Sequence, residues 1–229
     1  MSRKLIVAID GPSGAGKSTL SKALAKRTGY INIDTGAMYR AVALLAHRQR
    51  IDPTDEQALQ RLCSSLVIEF VREAGQERVL VNGEDVSRQI RTPEISRLTA
   101  KVAACPVVRD ALVRLQRKLG QAGGVVLEGR DIGTVVFPHA EVKFFLSASA
   151  EERGRRRHEE LRAAGVAVDL QQTIAEVEAR DAADSIREHA PLKCAEDAVV
   201  IDSTQMSIDE VLELMTREIA EKQQSFGGE

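Results

Sequence analysis

The sequence predicts an α/β fold, built on a mainly parallel five-stranded sheet with helices on both faces. Three observations carry that expectation. Five short apolar runs lack the alternation of half-exposed strands, as strands covered on both faces do: Leu5–Ile9, Tyr30–Ile33, Val125–Leu127, Val142–Leu146 and Ala198–Ile201. Helical patterns separate these runs. The first run leads through a glycine-rich loop directly into a helix, in "VAIDGPSGAGKSTLSKAL".

Taken in order, the first helix begins inside that opening motif at Lys17, and a second runs through "AMYRAVALLAH". About ninety residues then separate the second and third apolar runs. Inside them Leu66–Arg72 and Val79–Val81 read as strands, and Asn82-Gly83 before "EDV" suits a tight type I′ turn. Thr92-Pro93-Glu94 marks a helix start, with a cap and then proline at the first helical position. The segment from 62 to 104 is therefore expected to be an inserted antiparallel subdomain. A further helix carries Val108, Ala111, Leu112, Leu115 and Leu119 on one face. Ser149 with Glu152, and Ser207 with Glu210, form capping boxes that open two more helices. Residues 148–185 read as a helical lid with a flanking helix. The core is left with 1–61, 105–147 and 186–229.

The chain has 229 residues, is 43% hydrophobic and carries a net charge of −2, which fits one domain with an insert. No global positive field invites a nucleic acid polymer. No apolar run approaches the ~20 residues of a membrane span. Cys63, Cys105 and Cys194 are scattered in no metal-like spacing and read as reduced thiols. The expectation is a cytoplasmic protein without a membrane partner, and the polar surface helices suggest a monomer.

Gly11-Pro12-Ser13-Gly14-Ala15-Gly16-Lys17-Ser18, continued by Thr19, fits the G-x-x-x-x-G-K-[ST] phosphate loop without exception. Glycines let backbone N–H groups turn inward around phosphate oxygens. The helix that follows adds its positive end. Lys17 is the candidate for reaching β- and γ-phosphates and Ser18 the candidate Mg²⁺ ligand, so this stretch is expected to bind ATP with Mg²⁺. The fold is then of the P-loop NTPase type. A GTPase would need Asn-Lys-x-Asp, which is lacking, and "VVLEGRD" only partly echoes the apolar-Asp-Glu strand of motor ATPases. A small-molecule kinase remains.

Such a kinase needs cations for its acceptor. "DTGAMYR" places Arg40 after the second strand and "GRD" places Arg130-Asp131 after the third, at the carboxyl ends where α/β folds hold ligands. In "ARDAADSIR" the spacing puts Arg180, Asp184 and Arg187 on one face of a helix. Arg109 opens another helix. Arg153 and Arg157, i and i+4 in "EERGRRR", read as lid arginines that close on the transferring group. No histidine sits in a catalytic context.

With these residues in hand, the chain resembles the bacterial cytidylate kinases, a nucleoside monophosphate kinase family. The resemblance runs from "IDGPSGAGKST" through "DTGAMYR", "VNGEDVSRQIRT", "EGRDIGTVVFP", "EERGRRR" and "ARDAADSIR" to "VIDST". It implies phosphoryl transfer from ATP to CMP or dCMP. It implies Thr35 and Arg40 at the monophosphate, with Arg130 and Arg180 as further phosphate-binding arginines. It implies Arg109 and Asp131 at cytosine, Asp184 and Arg187 at the ribose, and Arg153 and Arg157 in the lid. One departure is Ala100, where the family carries a serine that aids base recognition; Thr99 adjoins it. Other acceptors, such as UMP, AMP or shikimate, and a nucleotide-binding protein without transfer activity are the alternatives.

Overall fold

A computed structural model describes residues 4–73, 76–163, 165–187 and 189–227. Contacts group the chain into two compact units, Met1–Asn32 with Ala122–Glu229, and Ile33–Gln121.

The first unit carries the expected five-stranded parallel sheet. β1 (Ile6–Asp10) lies between β6 (Val125–Glu128) and β7 (Val142–Ser147); β8 (Val199–Asp202) forms one edge and β2 (Ile31–Asp34), which straddles the unit boundary, the other. The register is parallel, with Val7 opposite both Val126 and Val142, and Phe144 opposite Val199. Leu5, Val7, Ile9, Val126, Val142, Phe144 and Leu146 pack with Leu20 and Leu24 of α1 (Lys17–Thr28) and with Val211, Met215 and Ile219 of α8 (Ile208–Gly227). The Ser207–Glu210 capping box opens α8 as expected, with hydroxyl and carboxylate bonding reciprocally to N–H groups. Two further helices, α6 (Ala150–Ala163) and α7 (Leu170–Ser185), pack on each other.

The second unit holds α2 (Thr35–Arg48), α3 (Glu56–Ser64), α4 (Pro93–Ala104) and α5 (Pro106–Gly120), with a separate antiparallel sheet of β3 (Ile68–Glu73), β4 (Gln76–Val81) and β5 (Glu84–Asp85). Asn82 and Gly83 have φ of 51° and 84°. Positive φ at both central residues is what a type I′ turn demands, and Asn and Gly tolerate it best. Thr92 caps α4 by accepting from Ile95 N–H, ahead of Pro93. Leu59, Ile90, Ile95, Val102, Val108 and Leu112 form buried apolar surface in this unit. Among the described residues, no helix is long and apolar enough to cross a membrane, and all three cysteines are free.

Candidate functional site

The phosphate loop turns between β1 and α1. Gly11 has φ 146°, and a Cβ there would stand 2.0 Å from Leu146 O, so no side chain fits. Gly14 has φ 77° and would clash with the Arg153 carbonyl at 2.7 Å. The start of α1, like that of α5, lacks the side-chain cap found on four other helices. Asp34, Asp55, Thr92 and Asp169 each cap a helix with a side-chain oxygen, whereas α1 has no side-chain cap and no acidic residue in its first turn. Its positive end is thus compensated by no carboxylate of its own, a setting that favours an anion.

Two charged groups flank that end. Lys17 is buried and donates from Nζ to Pro12 O at 2.5 Å. Burial first, and the neighbouring Arg130 guanidinium second, hold its ammonium well below the usual lysine range. Ser18 donates from Oγ to Glu128 Oε2 at 2.7 Å. Glu128 ends the apolar strand β6 and is buried. A hydroxyl beside a carboxylate is a hard-oxygen pair, the donor chemistry Mg²⁺ takes when phosphate and water complete its shell. Glu128 is absent from the sequence-derived site. Its signal there is an acid closing an all-apolar strand.

The segment after β6 is shaped from below. Ile132–Val136 forms a π-helical turn, the rarest of the helical geometries and one frequent at functional sites. Asp10, at the end of β1, accepts from Ile132 N–H at 2.8 Å and Gly133 N–H at 2.7 Å. Burial pushes its carboxyl up from 3.8 to about 6, against the opposing effect of those two N–H donors. A carboxyl raised in the fold binds its proton more tightly there than in the unfolded chain. Its contribution to stability is therefore full at low pH and is lost as pH rises through about 6. Asp10→Asn is expected to remove that slope. Between pH 4 and 7 wild type should lose up to about 3 kcal/mol relative to the variant. Urea unfolding of both proteins at the two pH values checks this, and parallel pH profiles would refute it.

Next to this turn, Arg130 donates from Nε to Asp184 Oδ2 at 2.9 Å, and Arg187 bonds the other oxygen of the same carboxylate. Arg180 lies close enough to weigh on Lys17 electrostatically. The spacing-based expectation for Arg187 needs correction. Helix α7 ends at Ser185 with Ile186 as its C-cap, so Arg187 lies beyond the helix. Leu192 N–H returns to Asp184 O at 2.8 Å. Pro191 lacks an N–H and disfavours helical backbone before it, so the chain turns back over the helix end. Arg187 reaches Asp184 from that turn.

The arginines of α6 separate. Arg153 is buried and donates to Ala148 O and Ser13 O, both at 2.9 Å, while pairing with Asp181. Asp181 in turn accepts from Ser13 N–H at 3.0 Å, so the pair satisfies both peptide groups of one phosphate-loop residue. Arg156 donates to Glu152, Ser203 Oγ and Ser203 O, and its Nη1 comes within 3.9 Å of where a Cβ on Gly16 would stand. Arg157 turns outward to Glu160. The arginine run thus places Arg153 and Arg156 at the loop region, with Arg157 paired to Glu160. The Ser149 hydroxyl accepts from Glu152 N–H as a cap, while the Glu152 carboxylate pairs with Arg155 and Arg156.

In the second unit, Arg40 pairs with the α2 cap Asp34 at 2.7 Å, and Thr35 is buried at the helix start. Arg109 is buried, donates to Ala103 O at 3.3 Å and lies 5.6 Å over the Tyr39 ring. Thr99 does not stand in for a serine at Ala100: it is buried, with its hydroxyl donating to Ile95 O of its own helix at 2.6 Å.

Known proteins are similar to this chain in sequence and in fold. A protein from Syntrophotalea carbinolica named cytidylate kinase is 66% identical over 98% of this chain and 95% of its own. The cytidylate kinase of Geobacter sulfurreducens is 61% identical over 99% and 97%. Among solved structures, a gluconokinase from Sinorhizobium meliloti shares the fold at TM-score 0.52 with 14% identity, covering 99% of this chain and 97% of its own. The family model described as cytidylate kinase matches residues 7–221, and the chain belongs to that family of nucleoside monophosphate kinases.

Proposed function

We propose that the chain transfers the γ-phosphoryl group of Mg²⁺-ATP to CMP or dCMP, giving ADP and CDP or dCDP, a step of pyrimidine nucleotide metabolism. The observation that carries this reading is the convergence at the carboxyl end of adjacent strands. An uncapped helix start with Lys17 and Ser18 follows β1, and the Arg130–Asp184–Arg187 cluster follows β6.

The acceptor phosphate has a second pKa of ~6 and is already a nucleophile at neutral pH. No strong general base is required, and catalysis reduces to alignment and charge neutralisation. The triphosphate adds to the negative charge that Glu128 and Asp10 already bring near the buried Lys17 ammonium, which favours its ionised form. Ser18 and Glu128 would hold Mg²⁺, which neutralises phosphate charge when bound. Arg130 and Arg180 are assigned to the acceptor phosphate, and the family resemblance assigns Thr35 and Arg40 to it too. Asp131 and Arg109 are assigned to the base. A carboxylate accepts from the cytosine amine and repels the uracil oxygen. Asp184 and Arg187 are assigned to the ribose.

ADP release from Mg²⁺-ATP, with CMP, dCMP, UMP and AMP added in turn, tests the reading. Release with CMP and dCMP is expected. Equal release with UMP would leave a kinase without the proposed base recognition, and no acceptor-dependent release would reduce the protein to nucleotide binding. Arg153→Ala is expected to lower kcat by about 10²-fold while shifting KM for CMP by less than about threefold, because a misplaced phosphate loop costs alignment at the donor. Steady-state kinetics in both substrates decide this. Equal losses in kcat and CMP affinity would count against it.

A further inference from the structure

The π-helical turn at Ile132–Val136 is held at its far end as well as at its start, and the far-end support comes from an unexpected residue type. Lys143 lies in β7, paired in register with Ala8 of β1 and flanked by the buried Val142 and Phe144. Its side chain is 5% exposed. An ammonium buried there has to find hydrogen-bond partners. It finds two: Nζ donates to Pro138 O at 2.6 Å and to Asp197 Oδ1 at 2.8 Å. Its aliphatic stem runs beneath the turn, with Cδ 3.1 Å from where a Cβ on Gly133 would stand.

We infer that Lys143, anchored by Asp197, is a positioning residue for acceptor recognition, bracing the far end of the turn whose near end carries Arg130 and Asp131. The inference rests on the acceptor reading above. Its physical basis is that π-helical geometry is rare and frequent at functional sites, so what holds this turn in place bears on the groups it carries. Here the turn is clamped twice. Asp10 fixes its first two N–H groups, and Lys143 fixes the carbonyl of Pro138, two residues past its last.

The brace is also poorly explained as a source of stability alone. A buried ion pair rarely outperforms an apolar side chain of the same volume. Asp197 is 65% exposed, so losing Lys143 leaves behind a solvated carboxylate and not a buried unpaired charge. Pro138 is likewise exposed, so its carbonyl can turn to water. What Lys143→Met takes away is the fixed position of the segment, at small cost to folding.

The experiment measures kcat, KM for CMP, KM for UMP and KM for ATP in wild type, Lys143→Met and Asp197→Ala, beside thermal melting and amide exchange at Val135, Val136 and Phe137. Lys143→Met is expected to raise KM for CMP about tenfold and to narrow the CMP-over-UMP preference, less than the roughly 10²-fold that a full 1 Å misplacement can cost. KM for ATP should stay within about twofold, and the three amides should lose protection. Asp197→Ala should change the same quantities in the same direction by about threefold, a smaller step because the Pro138 bond remains. A lowered melting temperature with unchanged CMP constants would assign Lys143 to folding alone and overturn the inference, as would equal changes in both KM values. If Lys143→Met does not fold, Asp197→Ala carries the test, since its target is exposed. Should wild type itself fail to prefer CMP over UMP, the base-recognition reading falls. The brace is then still judged on whether acceptor KM moves while ATP KM does not.

Discussion

Lys17→Met is expected to abolish ATP-dependent transfer, lowering kcat by at least about 10³-fold, while leaving the nucleotide-free protein as stable as wild type or more so. The two halves of this expectation have one cause. Lys17 is buried, its Nζ bonds one backbone carbonyl, and the Arg130 guanidinium stands near it. Without a phosphate the ammonium is desolvated and repelled by Arg130 and Arg180, which Glu128 and Asp10 offset only in part, and methionine of similar length relieves both penalties. With a triphosphate the same ammonium meets its counter-charge at the transferring group. The pH dependence gives an independent check. A lysine depressed in the fold binds its proton less tightly there than in the unfolded chain, so its cost to stability shrinks as pH rises toward the ordinary value of 10.5. The stability advantage of Lys17→Met should therefore decrease between pH 7 and pH 10. ATP should raise the melting temperature of wild type more than that of the variant. Turnover within tenfold of wild type would remove Lys17 from the transfer step. A melting temperature several degrees lower would make its bond to Pro12 its main role.

What the sequence reveals of this molecule, and what it hides, divides along sequence separation. Elements written in neighbouring residues are legible. The five apolar runs become the five strands within a residue or two, Asn82-Gly83 becomes the tight turn, and Thr92-Pro93 and Ser207–Glu210 open helices as their local hydrogen bonds require. The phosphate loop is legible for the same reason. Hidden are the groups whose partners are far along the chain. Asp10 and Ile132 are 122 residues apart, Ser13 and Asp181 168, and Ser18 and Glu128 110. Spacing shows that Arg153 and Arg157 could share a face. It does not show that α6 turns one toward Ser13 and leaves the other with Glu160. Nor does it show that a return hydrogen bond from Leu192 stops α7 before Arg187. Lys143 and Asp10 are the extreme case. Charged residues inside or at the end of apolar strands read as exceptions to a pattern, and their purpose emerges only once the turn they hold is visible.

Asp184→Ala is expected to lower the melting temperature by roughly 10 °C and to raise KM for CMP by about two orders of magnitude. The side chain of Asp184 is 3% exposed and sits between two guanidiniums, with Arg130 on one oxygen and Arg187 on the other. Removing it leaves two half-buried cations facing each other with no shared counter-charge. Breaking a buried pair in this way costs about 3–5 kcal/mol, and each kcal/mol shifts the melting of a chain this size by about 2–4 °C. The helix end itself should survive, because Leu192 bonds the backbone carbonyl of Asp184 and not its carboxylate. Two controls separate charge from shape. Asp184→Asn keeps an acceptor oxygen for one arginine but supplies no charge, so its melting temperature should fall between wild type and Ala while its KM for CMP matches Ala. Inorganic sulfate, a dianion able to take the place of the carboxylate between the arginines, should raise the melting temperature of Asp184→Ala more than that of wild type. An Ala variant that melts with wild type would mean the two guanidiniums are solvated well enough to need no shared partner. A variant that melts low but binds CMP normally would confine Asp184 to folding and leave acceptor binding to the arginines alone.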